Sequence, residues 1–147
     1  MIREWTLEEA RVRNLADITR RFDEETEFVT TEEDYTMRKY LDLMEKGVAH
    51  ILVIDDEGVI KGALGFVVAP DLHEDVKIAV ETFWFVLPAY RGGGKELMFA
   101  FEEKAKLLGC RKVAMVHLAD LFPDSLEQFY VKNGYKLTEK HYVKGVR

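Results

Sequence analysis

Between Trp84 and Glu103 the sequence reads WFVLPAYRGGGKELMFAFEE. An apolar strand is stopped by Pro88, then come Arg91 and the run Gly92-Gly93-Gly94, then an amphipathic helix. The chemistry this spacing offers is anion binding. The first-turn N–H groups of a helix lack intrahelical partners and the helix dipole is positive there, so a phosphate is favoured. Glycines let the backbone approach a ligand closely, and the Arg91 guanidinium can grip phosphate with two parallel hydrogen bonds. The same residues also make a tight strand-to-helix turn with a surface arginine, and the turn alone does not choose between these readings.

Other site chemistries leave no trace. The four histidines are scattered along the chain and no His/Cys/Asp/Glu group has ligand spacing, so no metal is expected. No Ser/His/Asp or Cys/His arrangement suited to a covalent nucleophile is evident. The lone Cys110 cannot form an internal disulfide and reads as a packed thiol at the start of an apolar strand. A net charge of −6 argues against general nucleic-acid binding. The apolar runs are too short to span a bilayer. MIREWTLEEARVR is charged and amphipathic, with Glu4, Glu8 and Glu9 early in it, rather than a signal peptide. These features suggest a cytoplasmic protein with no membrane partner. The 147 residues fit one domain, 1–147, with a sizeable core.

The elements that must position the glycine turn follow from periodicity. Ile2–Trp5 reads as a strand, and Thr6 with Glu9 as a capping box for a helix running to Phe22. Residues 23–30 form a loop, and a second cap at 31–34 opens a helix whose stripe is Tyr35, Met37, Tyr40, Leu41 and Met44. Gly47 stands where that helix should end. Val48–Ile54 and Val59–Ala69 form a hairpin about Asp55–Gly58. Lys77–Leu87 is a long strand ending at the glycine turn. The following helix buries Leu97, Met98, Phe101, Ala105 and Leu108 and stops at Gly109. Lys112–Leu118 is a strand, Asp124–Lys132 a helix, and Tyr135–Val143 a final strand or strand pair. The order β-α-α-β-β-β-α-β-α-β implies a mixed sheet with helices on its faces.

That order, with two local motifs, resembles the GNAT N-acetyltransferase superfamily. Val86-Leu87-Pro88-Ala89-Tyr90-Arg91-Gly92-Gly93-Gly94 is similar to the family's V-x-P-x-Y-R-G-x-G acetyl-CoA signature. Leu126–Tyr135 is similar to its A-x-x-x-Y-x-x-x-G-F segment. The resemblance covers nearly the whole chain. It implies an α/β (α+β) fold with a mixed, mostly antiparallel central sheet and helices on both faces. It also implies acetyl-CoA as co-substrate: pyrophosphate on Arg91, Gly92, Gly93 and Gly94, and the pantetheine arm along Phe85, Val86 and Leu87. An amine would then attack the thioester directly.

That reaction needs a neutral amine, a stabilised oxyanion and a proton for the departing thiolate. Tyr130 matches the family's general acid, and a phenol with an ordinary pKa of ~10 is protonated at neutral pH; a core-edge tyrosine is the alternative. Glu81 matches a position where some members carry a general base. Its neighbours Val80 and Thr82-Phe83-Trp84-Phe85 are largely apolar and would raise its pKa; a glutamate on a solvent-facing strand is the alternative. The seven carboxylates between Asp23 and Asp34, with no basic residue among them, suit a rim that steers a cationic amine, or a solvated loop. Homodimers are common in the family, though no residue pattern here shows one. The chain departs from the family at the glycine turn: read without a gap, Glu96 stands at the last small position and puts a carboxylate near the phosphates, whereas anchored on Leu97-Met98 the loop is shorter than usual. A GNAT-fold binding domain without CoA-dependent catalysis is therefore the competing expectation.

Overall fold

The computed structural model describes residues 1–12, 33–90, 92–117 and 123–146. They fall into two compact units, Met1–Val116 and His117–Arg147. The first unit contains β1 (Ile2–Glu4), α1 (Leu7–Val12), α2 (Glu33–Glu45), β2 (Ala49–Asp56), β3 (Val59–Pro70), β4 (Lys77–Val86), α3 (Gly93–Leu107) and β5 (Cys110–Ala114). A short 3₁₀ turn, Pro88–Tyr90, lies between β4 and α3. The second unit contains α4 (Pro123–Lys132).

The five strands lie in the order β1-β2-β3-β4-β5. The first four pair antiparallel and β5 joins β4 in parallel. The mixed, mostly antiparallel sheet expected from the sequence is therefore present. Its alternation sorts side chains onto two faces. Ile51, Val53 and Ala63 pack with Trp5, with Ala10 of α1 and with Tyr40 and Met44 of α2. Leu52, Ile54, Leu64, Phe66 and Ala79 pack with Leu97, Phe101 and Ala105 of α3. β2 is buried on both faces, which is why it reads as a continuous apolar run.

Local chemistry sets the element ends. The Glu9 N–H donates to Thr6 Oγ1 at 3.1 Å and the Thr6 N–H to Glu9 Oε1 at 3.3 Å, the reciprocal pair of a capping box. Arg3 grips the same Glu9 carboxylate with both terminal nitrogens, at 2.8 and 2.7 Å, and donates Nε to Asp55 at 2.9 Å. β1, α1 and the β2 end are thereby tied together. α2 closes at Gly47, where Val48 N–H reaches Leu43 O and Gly47 N–H reaches Met44 O, both at 3.0 Å. The β2–β3 hairpin turns on Glu57 and Gly58, at φ 49° and 89°.

Several expectations change. The apolar stripe of α2 is narrower than it reads, since Tyr35 is exposed beneath the Lys39 ammonium. β5 ends at Ala114 rather than Leu118, because its ladder to β4 covers only Lys77–Val80. Described residues 135–146 form no strand, and Leu137, Tyr142 and Val143 are exposed. A strand requires a partner for its N–H and C=O groups, and among the described residues the second unit contains only a helix. The helical expectation for 13–22, the loop at 23–30 and the cap at Thr31 lie outside the described residues.

Candidate active site

β4 carries three of the expected site residues, Glu81, Phe85 and Val86. Phe85 and Val86 lie in its last turn of pleat, and Leu87 follows, its N–H bonded to Lys61 O at 2.9 Å. Tyr90 N–H then closes onto Leu87 O at 2.8 Å. The Tyr90 hydroxyl donates to Asp56 Oδ2 at 2.8 Å, and Lys61 Nζ sits 5.1 Å from the Tyr90 ring centre. The entrance to the glycine turn is thus anchored to the β2–β3 hairpin. Arg91 lies outside the described residues.

Gly92 is the N-cap of α3 and has no side chain to satisfy the first-turn donors. A Cβ at Gly92 would meet nothing within 4 Å, so this stretch of backbone is open to an approaching group. Gly93 and Gly94 are small for a different reason. A Cβ on Gly93 would come within 2.8 Å of Ile54 Cδ1, and one on Gly94 within 3.3 Å of the Trp84 ring. They let the start of α3 settle onto β2 and β4. Glu96 is exposed in the first turn and, with Gly92, Gly93 and Tyr90, lines a cavity of about 310 Å³. First-turn donors without a side-chain cap and an open Gly92 suit an anionic group such as a diphosphate.

The ladder between β4 and β5 stops at Val80, while β4 itself continues to Val86. Glu81 is the first residue past that point. It is only 5% exposed, which excludes the solvent-facing alternative. Burial alone pushes its carboxyl up to about 8. The backbone is irregular here: Gly65 pairs with Phe83 but Phe66 with Glu81, leaving Thr82 as an extra residue.

Sequence reasoning missed the group beneath this irregularity. The Tyr40 hydroxyl lies 2.9 Å from Thr82 Oγ1, and the Tyr40 ring lies 5.6 Å from that of Phe83. Burial raises the Tyr40 phenol above its ordinary range. The signal was Gly65, an isolated glycine in an apolar strand, which marks a bulge or a close approach.

Tyr130 belongs to the second unit, in α4, and is 8% exposed. Its ring lies 6.4 Å from His117, 6.3 Å from Phe129 and 5.7 Å from Tyr135. Asn133 N–H and Tyr135 N–H both donate to its carbonyl, at 3.1 and 2.9 Å. The acidic run from Asp23 lies outside the described residues, save the backbone of Glu33 and Asp34. Among the described residues no group of three His, Cys, Asp or Glu could hold a metal ion. No helix among them is long and apolar enough to cross a membrane.

The sequence profile of the acetyltransferase (GNAT) family matches residues 11–135. The chain belongs to this family. The expected enzyme class, an acetyltransferase using acetyl-CoA, stands on that membership. No curated protein shows significant sequence similarity to it. Solved GNAT structures share the fold at low identity. A ribosomal-protein-alanine N-acetyltransferase from Brucella melitensis biovar Abortus 2308 is 17% identical with a TM-score of 0.74, covering 100% of this chain and 99% of that one. A "predicted acetyltransferase with acetyl-CoA" from Clostridium acetobutylicum is 16% identical with a TM-score of 0.76, covering 99% and 95%. Glucosamine-6-phosphate N-acetyltransferase from Arabidopsis thaliana is 19% identical with a TM-score of 0.72, covering 100% and 98%.

Proposed function

We propose that residues 1–147 act as one GNAT domain that moves an acetyl group from acetyl-CoA directly to a primary amine. The observation that carries this reading is the position of Glu81. It is a buried carboxyl on the strand that runs into the glycine turn, one residue past the end of the β5 ladder. A proton acceptor works best when its pKa lies near the working pH, and burial brings Glu81 to about 8. Acetyl-CoA supplies an activated acyl group when bound. The first-turn N–H groups of α3 and Arg91 hold its diphosphate, and the backbone of Phe85–Leu87 aligns its pantetheine arm. Glu81 takes the proton that the ammonium must lose before its nitrogen can attack. Tyr130 is the donor to the thiolate as the C–S bond breaks; the family motif and its helical position support that role. A cationic acceptor suits the acidic run 23–34.

Thermal-shift titration with acetyl-CoA tests the reading, because a ligand that binds only the native state stabilises it, by about 2.7 kcal/mol at a hundredfold excess over Kd. No shift at millimolar acetyl-CoA would sink it. Thiol release with spermidine, kanamycin, a lysyl peptide, glucosamine 6-phosphate and an alanine-terminated peptide then identifies the acceptor class. The second reading, a GNAT-fold binding domain, is favoured by the exposed Glu96 carboxylate in the first turn of α3. Absence of any acetyl-CoA stabilisation, together with no thiol release across the panel, would select it.

A further inference from the structure

The irregularity in β4 is held from below by a side chain outside the family motifs. Tyr40 rises from α2 against the face of the sheet that carries Ile51, Val53 and Ala63. Its hydroxyl can reach the strands only because β3 has no side chain at that point. A Cβ on Gly65 would collide with the Tyr40 hydroxyl and with the Phe83 ring. Through that gap the phenol meets two strands at once. It donates to the His50 carbonyl of β2 in a long 3.4 Å bond, and it pairs with Thr82 Oγ1 of β4 at 2.9 Å. With the phenol proton directed to His50, the Thr82 hydroxyl is the donor in the second bond.

Thr82 is the extra residue of the irregularity, and Glu81 is its neighbour. An extra residue in one strand loses its ladder bonds, so its position depends on other contacts. Here the described contact is the hydroxyl of Tyr40. We propose that Tyr40 is a positioning residue: it ties Thr82 to β2 and thereby fixes where the Glu81 carboxyl stands for proton transfer. The proposal rests on the reading of Glu81 as the base. Tyr40 touches no reacting atom in this scheme and acts only through the β4 backbone.

Tyr40→Phe keeps the buried ring and removes only the hydroxyl, and Thr82→Val removes its partner at nearly constant volume. Each should lower kcat about three- to tenfold, the range for one lost hydrogen bond, with KM for acetyl-CoA within about twofold. The double variant should be little worse than either single one, because both remove the same bond. Glutamate-labelled ¹³C NMR, with the Glu81 signal identified by its loss in Glu81→Gln, reads the carboxyl directly and needs no acceptor. In wild type its midpoint should lie near 8. In both single variants it should fall toward ordinary carboxylate values as the strand relaxes and water reaches the group. A Tyr40→Phe enzyme with wild-type kcat and an unmoved Glu81 midpoint overturns the proposal, as do additive effects in the double variant. If Glu81→Gln transfers acetyl to the panel amines at the wild-type rate, the base assignment itself falls, and the role of Tyr40 with it. If Glu81→Gln is slow while Tyr40→Phe is not, only the Tyr40 proposal falls.

Discussion

The backbone N–H of Tyr135 donates to the carbonyl of Tyr130 at 2.9 Å, and the two rings lie 5.7 Å apart. This six-to-one closure ends α4, with Gly134 between them at φ 88° donating to Val131 O at 3.1 Å. The Tyr-x-x-x-Gly-Tyr spacing is therefore a helix-terminating device that also fixes the ring of the proposed acid. Gly134→Ala meets no steric neighbour, since nothing lies within 4 Å of its Cβ. It should still cost about 1–2 kcal/mol, through left-handed backbone strain alone, as read by urea unfolding.

Tyr130→Phe separates chemistry from packing. The ring contacts and the carbonyl bonds survive, and only the hydroxyl is lost. If Tyr130 donates the proton to the thiolate, kcat should fall about 10²-fold while the acetyl-CoA midpoint in thermal shift stays put. Equal loss of turnover and acetyl-CoA affinity would reassign the residue to packing.

The raised Glu81 carboxyl makes opposite demands on stability and activity. The folded state keeps this proton up to about 8, whereas an unfolded chain releases it near 4.5. Between those values the native state binds the extra proton, so this group lowers stability as pH rises from about 4.5 to about 8. Glu81→Gln removes that dependence. The variant should be more stable than wild type at about pH 9, by at least ~2 kcal/mol, with the difference closing toward pH 5. Activity should run the other way in wild type, rising with pH through about 8 as the base ionises. Calorimetry and pH-rate profiles on the same pair of proteins check both limbs.

Features legible in the sequence are those whose causes are local. The capping box of Thr6 and Glu9, the helix stop at Gly47 and the hairpin at Glu57-Gly58 each need only neighbouring residues. The face occupied by Glu81 was not legible. Period-two alternation would put Glu81 and Phe83 on one side of the sheet, but the extra residue Thr82 intervenes and breaks the count. That extra residue depends on a glycine in β3 and a tyrosine in α2, both distant in sequence. The same holds for β5, whose end is set by a short ladder to β4 and not by its own apolar run.

Arg3 offers a test at acid pH. Hydrogen bonds from Arg3, with further help from Thr6 and against the opposing effect of burial, hold the Glu9 carboxyl down to about 2. Its stabilising effect is therefore complete above the ordinary carboxylate range and is lost as pH falls toward about 2. The pair is about a third exposed, so screening limits its worth. Arg3→Ala should cost about 1 kcal/mol near neutral pH, and the gap from wild type in denaturant midpoint should shrink steadily below about pH 4.

Gly92 separates a glycine kept for a ligand from one kept for the fold. Its φ of −59° and ψ of −26° suit any residue, and a Cβ there meets no atom within 4 Å. Gly92→Ala should therefore leave the apo protein as stable as wild type, or raise its stability by about 0.4–1 kcal/mol by restricting the unfolded chain. Gly93→Ala should instead lower apo stability, because its methyl comes within 2.8 Å of Ile54 Cδ1. If the backbone at Gly92 receives the diphosphate of acetyl-CoA, the added methyl stands in its way. The thermal shift produced by acetyl-CoA should then shrink in Gly92→Ala despite the undisturbed apo midpoint. A full acetyl-CoA shift in Gly92→Ala would mean that the diphosphate lies elsewhere, and the glycine would be explained by the turn alone.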